Sequence, residues 1–384
     1  MIFQSKLRER IRFDRNELAG AFGDIGTDLP LILGIISATN VDVASTFIMF
    51  GAMQILTGII YGIPMAVQPL KAMAVIVISQ KVSANVLYGG GLSVGIAMLL
   101  LTISGLLSLL NRYIPKVAIR GIQVGLGISL STLAITKYIT GNSIYDYILP
   151  LVSVLIILIL WKNRRYPSSL IVIAFGIIYA LIFNVNPVKV VSGVGVRLPV
   201  FNIPNVEDII NGFFLLALPQ IPLSMSNSVF ATSKTAEDLF PDRRIGITKI
   251  GFTYSLMNLI NPFFCGIPTC HGTGGLVGQY NFGGRTGGSV IIYGSLYIII
   301  GLFFSESFSE IIKIFPFSIL GVILLFEGIG LISFIRDMAE DRENLMIALL
   351  VAIISANMKN GYLVGLIFGT VVWYFNEWRK KKSD

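Results

Sequence analysis

Between residues 19 and 377 the chain is a near-continuous succession of apolar stretches parted by short polar links. A membrane-spanning helix needs about 20 such residues, because the hydrocarbon layer offers the backbone no water to bond. Fourteen segments can be drawn, near 19–38, 43–61, 64–80, 87–110, 115–137, 146–161, 168–185, 211–232, 245–265, 268–280, 288–304, 310–333, 344–357 and 361–377. Composition agrees: 54% of the 384 residues are hydrophobic and only 13% charged, against roughly 25% charged in soluble domains. These values exclude a cytosolic enzyme, a nucleic-acid binder and a secreted disulfide scaffold. The expected fold class is an all-α polytopic membrane protein lodged in the lipid bilayer.

The net charge of +8 suggests an anionic partner until the charges are placed. With a cytoplasmic N-terminus, the inner loops carry the N-terminal cluster, Arg112, Lys116, Arg120, Lys162, Arg164, Arg165, Lys234, Arg243, Arg244, Lys249, Arg285, Arg336, Arg342 and the tail from Arg379 to Lys382. The outer loops hold Lys81, Lys137, Lys189, Arg197 and Lys359. This is the positive-inside pattern, and it predicts an even number of spans with both termini cytoplasmic, in the cell membrane. The basic leader, residues 1–18, is not followed by a cleavable signal pattern. Of the 29 lysines and arginines, only Lys71 and Lys313 are left unassigned to a loop, both within predicted segments, and Lys313 sits near an end, where a lysine can reach water.

The segments at 64–80 and 268–280 are poor full spans: short, rich in Pro and Gly, and polar where they begin. Gly62-Ile63-Pro64 opens the third segment and Gly266-Ile267-Pro268 the tenth. Leu29-Pro30-Leu31 in the first segment is answered by Ile221-Pro222-Leu223 in the eighth. Equivalent breaks thus recur seven segments apart. An odd repeat inverts the second copy, and paired interrupted segments in such a repeat point to a substrate site near the midplane. The expected architecture is therefore a 7+7 inverted repeat of 14 transmembrane segments with two half-helices, segments 3 and 10.

Pro64 and Pro69 cannot both lie inside one regular helix. The third segment reads as an extended stretch up to Gln68, then a helix with Pro69 and Lys71 in its first turn. A helix N-terminus already carries free N–H groups and partial positive charge. A lysine there, at membrane depth, needs either a bound anion or a counter-carboxylate. Both remain open from the sequence alone. In the tenth segment Gly272, Gly274 and Gly275 admit close backbone approach, and Thr269 and Thr273 lie one turn apart. That suits an oxyanion nest or tight helix packing. His271 is placed to donate to a substrate, carry a proton or make a structural bond.

Asp24, Thr27 and Asp28 share one face of the first segment, which Pro30 is expected to kink. Its two acids could carry a coupling proton or neutralise Lys71. Gln220, Ser224, Asn227 and Ser228 form a polar stripe down the eighth segment, facing a site or joining helices. Glu327, in the twelfth segment, has no evident partner. Cys265 and Cys270 lack metal-ligand spacing even with His271 adjacent, so no metal site is expected. The run from Phe282 to Gly288 lacks the G-K-[ST] ending of a phosphate loop, and no catalytic or nucleotide motif appears. Neither enzyme activity nor a cofactor is expected.

The motifs GDIGTDLP (23–30), PMAVQPLKA (64–72), PQIPLSMSNSV (219–229) and PTCHGTGGLVGQYNFGGRTGGS (268–289) resemble the molybdate transporter type 1 family, a relative of the sulfate permeases. The resemblance covers roughly residues 20–80 and 210–290. It implies the inverted-repeat fold of uracil permease and the sulfate permeases, in which a core domain moves against a gate domain. Residues 19–110 and 211–305 would then form the core (segments 1–4 and 8–11). Residues 111–190 and 306–378 would form the gate (segments 5–7 and 12–14). An extracellular loop at 191–210 and a cytoplasmic tail at 379–384 complete the layout, without the soluble C-terminal domain usual in sulfate permeases. The resemblance further implies molybdate as substrate, held between the N-termini of half-helices three and ten, and a homodimer through the gate domains. On it, Gln68, Lys71, Thr269, His271, Gly272, Thr273, Gln220 and Asn227 are the candidate binding residues, with Asp24 and Asp28 for coupling. Tungstate and sulfate are alternative cargoes, and an anion channel or sensor is the alternative class.

Overall fold

The computed structural model describes residues 10–141, 144–160, 168–183, 193–358 and 360–383. The leader up to residue 9, Lys162, Arg164, Arg165, Lys189, Lys359 and the Lys313 side chain lie outside what is described. Helix α1 (Arg15–Ala21) passes through a 3₁₀ turn at Phe22–Asp24 into α2 (Ile25–Thr39), which continues through Pro30. Helix α3 (Val43–Tyr61) is capped at its start by Asp42, whose side chain accepts from the Ser45 amide. Gly62, at φ 65°, ends it.

Strand β1 (Val67–Pro69) then leads into α4 (Lys71–Gln80). Next come α5 (Ala84–Ile103), α6 (Leu106–Tyr113), α7 (Lys116–Leu133), α8 (Ile148–Ile159) and α9 (Ser168–Phe183). The second half brings α10 (Val206–Gly212), α11 (Leu218–Leu223), α12 (Thr232–Leu239) and α13 (Ile247–Ile260). Strand β2 (Thr269–His271) and α14 (Thr273–Asn281) follow, then α15 (Gly288–Ile314), α16 (Phe317–Ile332), α17 (Arg342–Asn357) and α18 (Gly361–Ser383).

Among the described residues, seven stretches are long and apolar enough to cross a membrane. Shorter apolar helices lie at Lys71–Gln80, Ile148–Ile159 and Leu170–Ala180. Burial departs from that of a soluble protein. Ile103, Leu151, Ile159 and Val371 are exposed, whereas Asp24, Asp28, Gln68, Lys71, Asn258 and His271 are buried. Polar groups inside and apolar ones outside are what lipid requires. The fourth predicted segment is split in two at Gly105, whose φ of 74° ends α5 and begins α6. Pro69 also departs from expectation, lying in β1 instead of the first turn of α4.

The charged residues form local groups. Arg10 and Lys249 donate to the Ile60 carbonyl at 2.9 and 3.1 Å, and Arg243 donates to that of Gly62. Three cations thus meet at the negative end of α3, where a helix dipole favours them. Arg120 and Lys116 pair with Asp337, Lys380 with Glu343, and Arg197 with Glu306. None of these pairs joins a predicted inner residue to a predicted outer one.

Candidate functional site

The centre of the molecule is a buried two-stranded antiparallel ribbon. Val67 faces His271, Gln68 faces Cys270 and Pro69 faces Thr269. Beyond the strands the ladder continues evenly on both sides. The Leu70 amide donates to Pro268 O at 3.1 Å and the Gly272 amide to Ala66 O at 3.2 Å. The ribbon is thus symmetric about its Gln68–Cys270 pair.

An isolated ribbon leaves its outer edges unbonded, which is costly away from water. Side chains of the preceding helices close them. The Gln54 carboxamide donates to Val67 O at 2.8 Å and accepts from Val67 N at 3.1 Å. Asn258 does the same for Thr269, at 2.6 and 3.0 Å. Thr57 and Asn261 donate to the carbonyls of Met65 and Ile267, each at 2.9 Å. These clamps come from the second and ninth predicted segments, seven apart.

Each strand feeds a short helix at once. Lys71 is the first residue of α4 and, among the described residues, no other lysine or arginine is buried. Its ammonium makes an ion pair with Glu327 Oε1 at 2.6 Å, across from α16. The unpaired-looking acid of the sequence is therefore the partner of the unpaired-looking lysine. Asp24 Oδ1 accepts from Gln68 Nε2 at 2.6 Å. Asp28 is fully buried and neither of its oxygens has a well-formed hydrogen bond; Tyr293 is its polar neighbour. One cation thus sits among three carboxyl groups.

The other candidates divide into two sets. Gln220 turns its Oε1 to the amides of Ala72 and Met73, at 3.0 and 3.2 Å, and caps α4. Thr269 lies in β2, not a helical turn below Thr273, and its hydroxyl accepts from Asn261. His271 is wholly buried, 2.7 Å from the Thr253 hydroxyl through Nε2 and edge-on to Tyr61. Asn227 accepts from Gln123 through its side chain and from Thr273 through its backbone carbonyl. These residues are held by protein partners. Nearest to open space are Asp24, Glu327 and Gly274, which line a cavity of about 230 Å³ with Gly23, Gly26, Thr27, Ile157, Ser168, Ile323 and Phe326.

The glycines of the tenth segment serve several purposes. A Cβ on Gly272 would collide with the Gln68 carboxamide, and one on Gly275 with the Asp24 carboxylate. At Gly274 a Cβ would meet nothing within 4 Å. A second cavity, about 840 Å³, is lined by Val75, Ser79 and Gln80 of α4. Ser129, Pro219, Ser355 and Tyr362 line it too. Val75 is one helical turn beyond Lys71, but neither Lys71 nor Glu327 lines this larger cavity.

Glu327 and Gly274 were not among the candidate binding residues from the sequence. Lys71 and Glu327 are 256 residues apart, and any of three acids could have answered the lysine. Glycine spacing, likewise, does not say which glycine faces a void.

Buried polar groups at the break of paired half-helices, inside an apolar shell, define a polytopic membrane transporter. The fold agrees: the chain is similar to the transmembrane domain of the cyanobacterial bicarbonate transporter BicA, with a TM-score of 0.70 at 17% identity, covering 94% of this chain and 98% of that one. Residues 16–130 and 212–331 match the family described as molybdate transporter of the MFS superfamily. Two Arabidopsis thaliana proteins are similar over most of their length. Molybdate transporter 2 is 34% identical over 94% of this chain and 88% of its own, and molybdate transporter 1 is 31% identical over 100% and 92%. The chain belongs to the molybdate transporter family. It is a multi-pass membrane protein of a transporter family, not an enzyme family.

Proposed function

We propose that this protein is a secondary active importer of a tetrahedral dianion, molybdate, working by an elevator-type movement of a core domain against a gate domain. The observation that carries the reading is Lys71: a buried ammonium at the first turn of a half-helix. Gln68 and the start of α14 complete the proposed oxyanion site, with Thr269, Thr273, His271, Gly272, Gln220 and Asn227 supporting its walls. Molybdate as cargo is supported by the two similar plant proteins, both named for it.

The symmetric ribbon and its matched clamps support the seven-plus-seven inverted repeat of fourteen segments. On that reading residues 19–110 and 211–305 are the core, 111–190 and 306–378 the gate, and both termini are cytoplasmic in the cell membrane. A homodimer through the gate is part of the same proposal, and light scattering of the purified protein would test it.

One cation among three carboxyls cannot accept a dianion without relief of the negative charge. Proton uptake supplies that relief, and Asp24 or Asp28 would carry the proton. Lys71→Ala is expected to abolish molybdate binding, by isothermal titration, while the protein still unfolds cooperatively. Unchanged affinity would sink the assignment. Uptake into proteoliposomes by Asp24→Asn and Asp28→Asn is expected to lose its pH dependence in at least one variant; if both keep it in full, neither acid is the carrier. Competition between labelled molybdate and excess sulfate separates the two cargoes.

A further inference from the structure

The Lys71–Glu327 pair is unequal. The lysine side chain is 4% exposed and the glutamate 25%, and the glutamate lines the smaller cavity. The two residues also sit on different helices. Helix α4 packs on α2, α7 and α11, whereas α16 packs chiefly on α7, with α2, α8 and α9 as further neighbours. If the pair opens, Glu327 has cavity space to turn into. Lys71 has none.

We propose that Glu327 is a stand-in anion, holding Lys71 while no oxyanion is bound, and that an incoming oxyanion displaces it. This rests on the reading that Lys71 binds the cargo. The physical reason is crowding of like charge. An oxyanion that met Lys71 with Glu327 still in place would lie against one carboxylate at contact distance and a second, Asp24, on the same cavity wall. Leaving Lys71 with no anion at all, on the other hand, would strand a buried ammonium. A carboxylate that can swing into the cavity satisfies both demands. Glu327 is thus a positioning residue: it acts on the cargo through Lys71, by competing for it. Oxyanion arrival also breaks a contact between α4 and α16.

Competition has a signature that a structural salt bridge lacks, because removing a competitor tightens binding. Molybdate titrations of the purified full chain, with Glu327→Gln, are expected to show affinity raised between about 5-fold and about 150-fold, the usual span of coupling between two sites. Glu327→Asp, which shortens the reach to Lys71, is expected to fall between wild type and Gln. Lys71→Ala with Glu327→Gln is expected to bind nothing. Unchanged or weaker affinity in Glu327→Gln, with a wild-type unfolding temperature, overturns the proposal. Should that variant fail to fold, Glu327→Asp decides by the same criterion. Full affinity in Lys71→Ala instead sinks the site reading itself, whatever Glu327 does, so the two failures are told apart.

Discussion

Helix α4 begins at Lys71 and α14 at Thr273, each reached through one strand of the same ribbon and each steadied by a carboxamide from the helix before it. Their first turns are finished differently. At α4 the Gln220 oxygen occupies the amides of Ala72 and Met73, so the backbone's positive end is already answered and the charge comes from a side chain. At α14 the N-cap is Gly272, which offers no side-chain cap, and Gly274 in the first turn faces the cavity. One half presents a cation on a stem; the other presents the peptide backbone. The lesson is that a duplicated scaffold can keep its geometry while dividing the chemistry between its copies.

The division can be broken first where binding and stability should fall together. Gly275→Ala drives a methyl into the Asp24 carboxylate and Ala66. Overpacking of this kind costs about 1–3 kcal/mol, occasionally more, so a lowered unfolding temperature in detergent is expected, together with lost binding. Next come the clamps. Asn258→Leu and Gln54→Leu each strand one buried N–H and one buried C=O, at about 1–3 kcal/mol per group. The ribbon's symmetry predicts similar losses of unfolding temperature from both, and a loss confined to one would show that the halves are not mechanically equivalent. The smallest effect on stability is expected one residue from Gly275. Gly274→Ala meets no atom within 4 Å and gains about 1 kcal/mol of helix propensity, yet it narrows the cavity. It should fold as well as wild type and bind molybdate more weakly; unaltered affinity would remove the α14 backbone from the site.

Much of this arrangement was legible in the sequence because backbone rules are local. Two prolines five apart forced the break before α4, and the recurrence of Gly-Ile-Pro announced its counterpart. The motif resemblance likewise led to the family that the chain belongs to. What escaped was whatever depends on facing. The polar stripe from Gln220 to Ser228 presumes an ordinary helix, but residues Ser224–Ala231 wind as a π-helix after Pro219 and Pro222, so their carbonyls and side chains turn to other neighbours. Asn227 thereby offers its carbonyl to the hydroxyls of both Thr232 and Thr273. Glu327 was visible as an orphan acid, but which cation it served is a long-range fact that no spacing encodes. Gly105 split a predicted span for the same reason that glycine so often does, by adopting a left-handed turn open to few other residues.

The hydrogen-bonded ribbon has one more consequence. Register in a β-ladder changes only in whole residues, about 3.3 Å at a time, and a one-residue slip turns every side chain to the opposite face. With both outer edges locked by carboxamides, the separation of the two helix starts is quantised. A relative of this protein that came to carry a larger or smaller anion could not reach it by stretching the frame. It would have to change the furniture: the side chains at Gln68, Lys71 and Glu327, within an aperture whose width the backbone has already chosen.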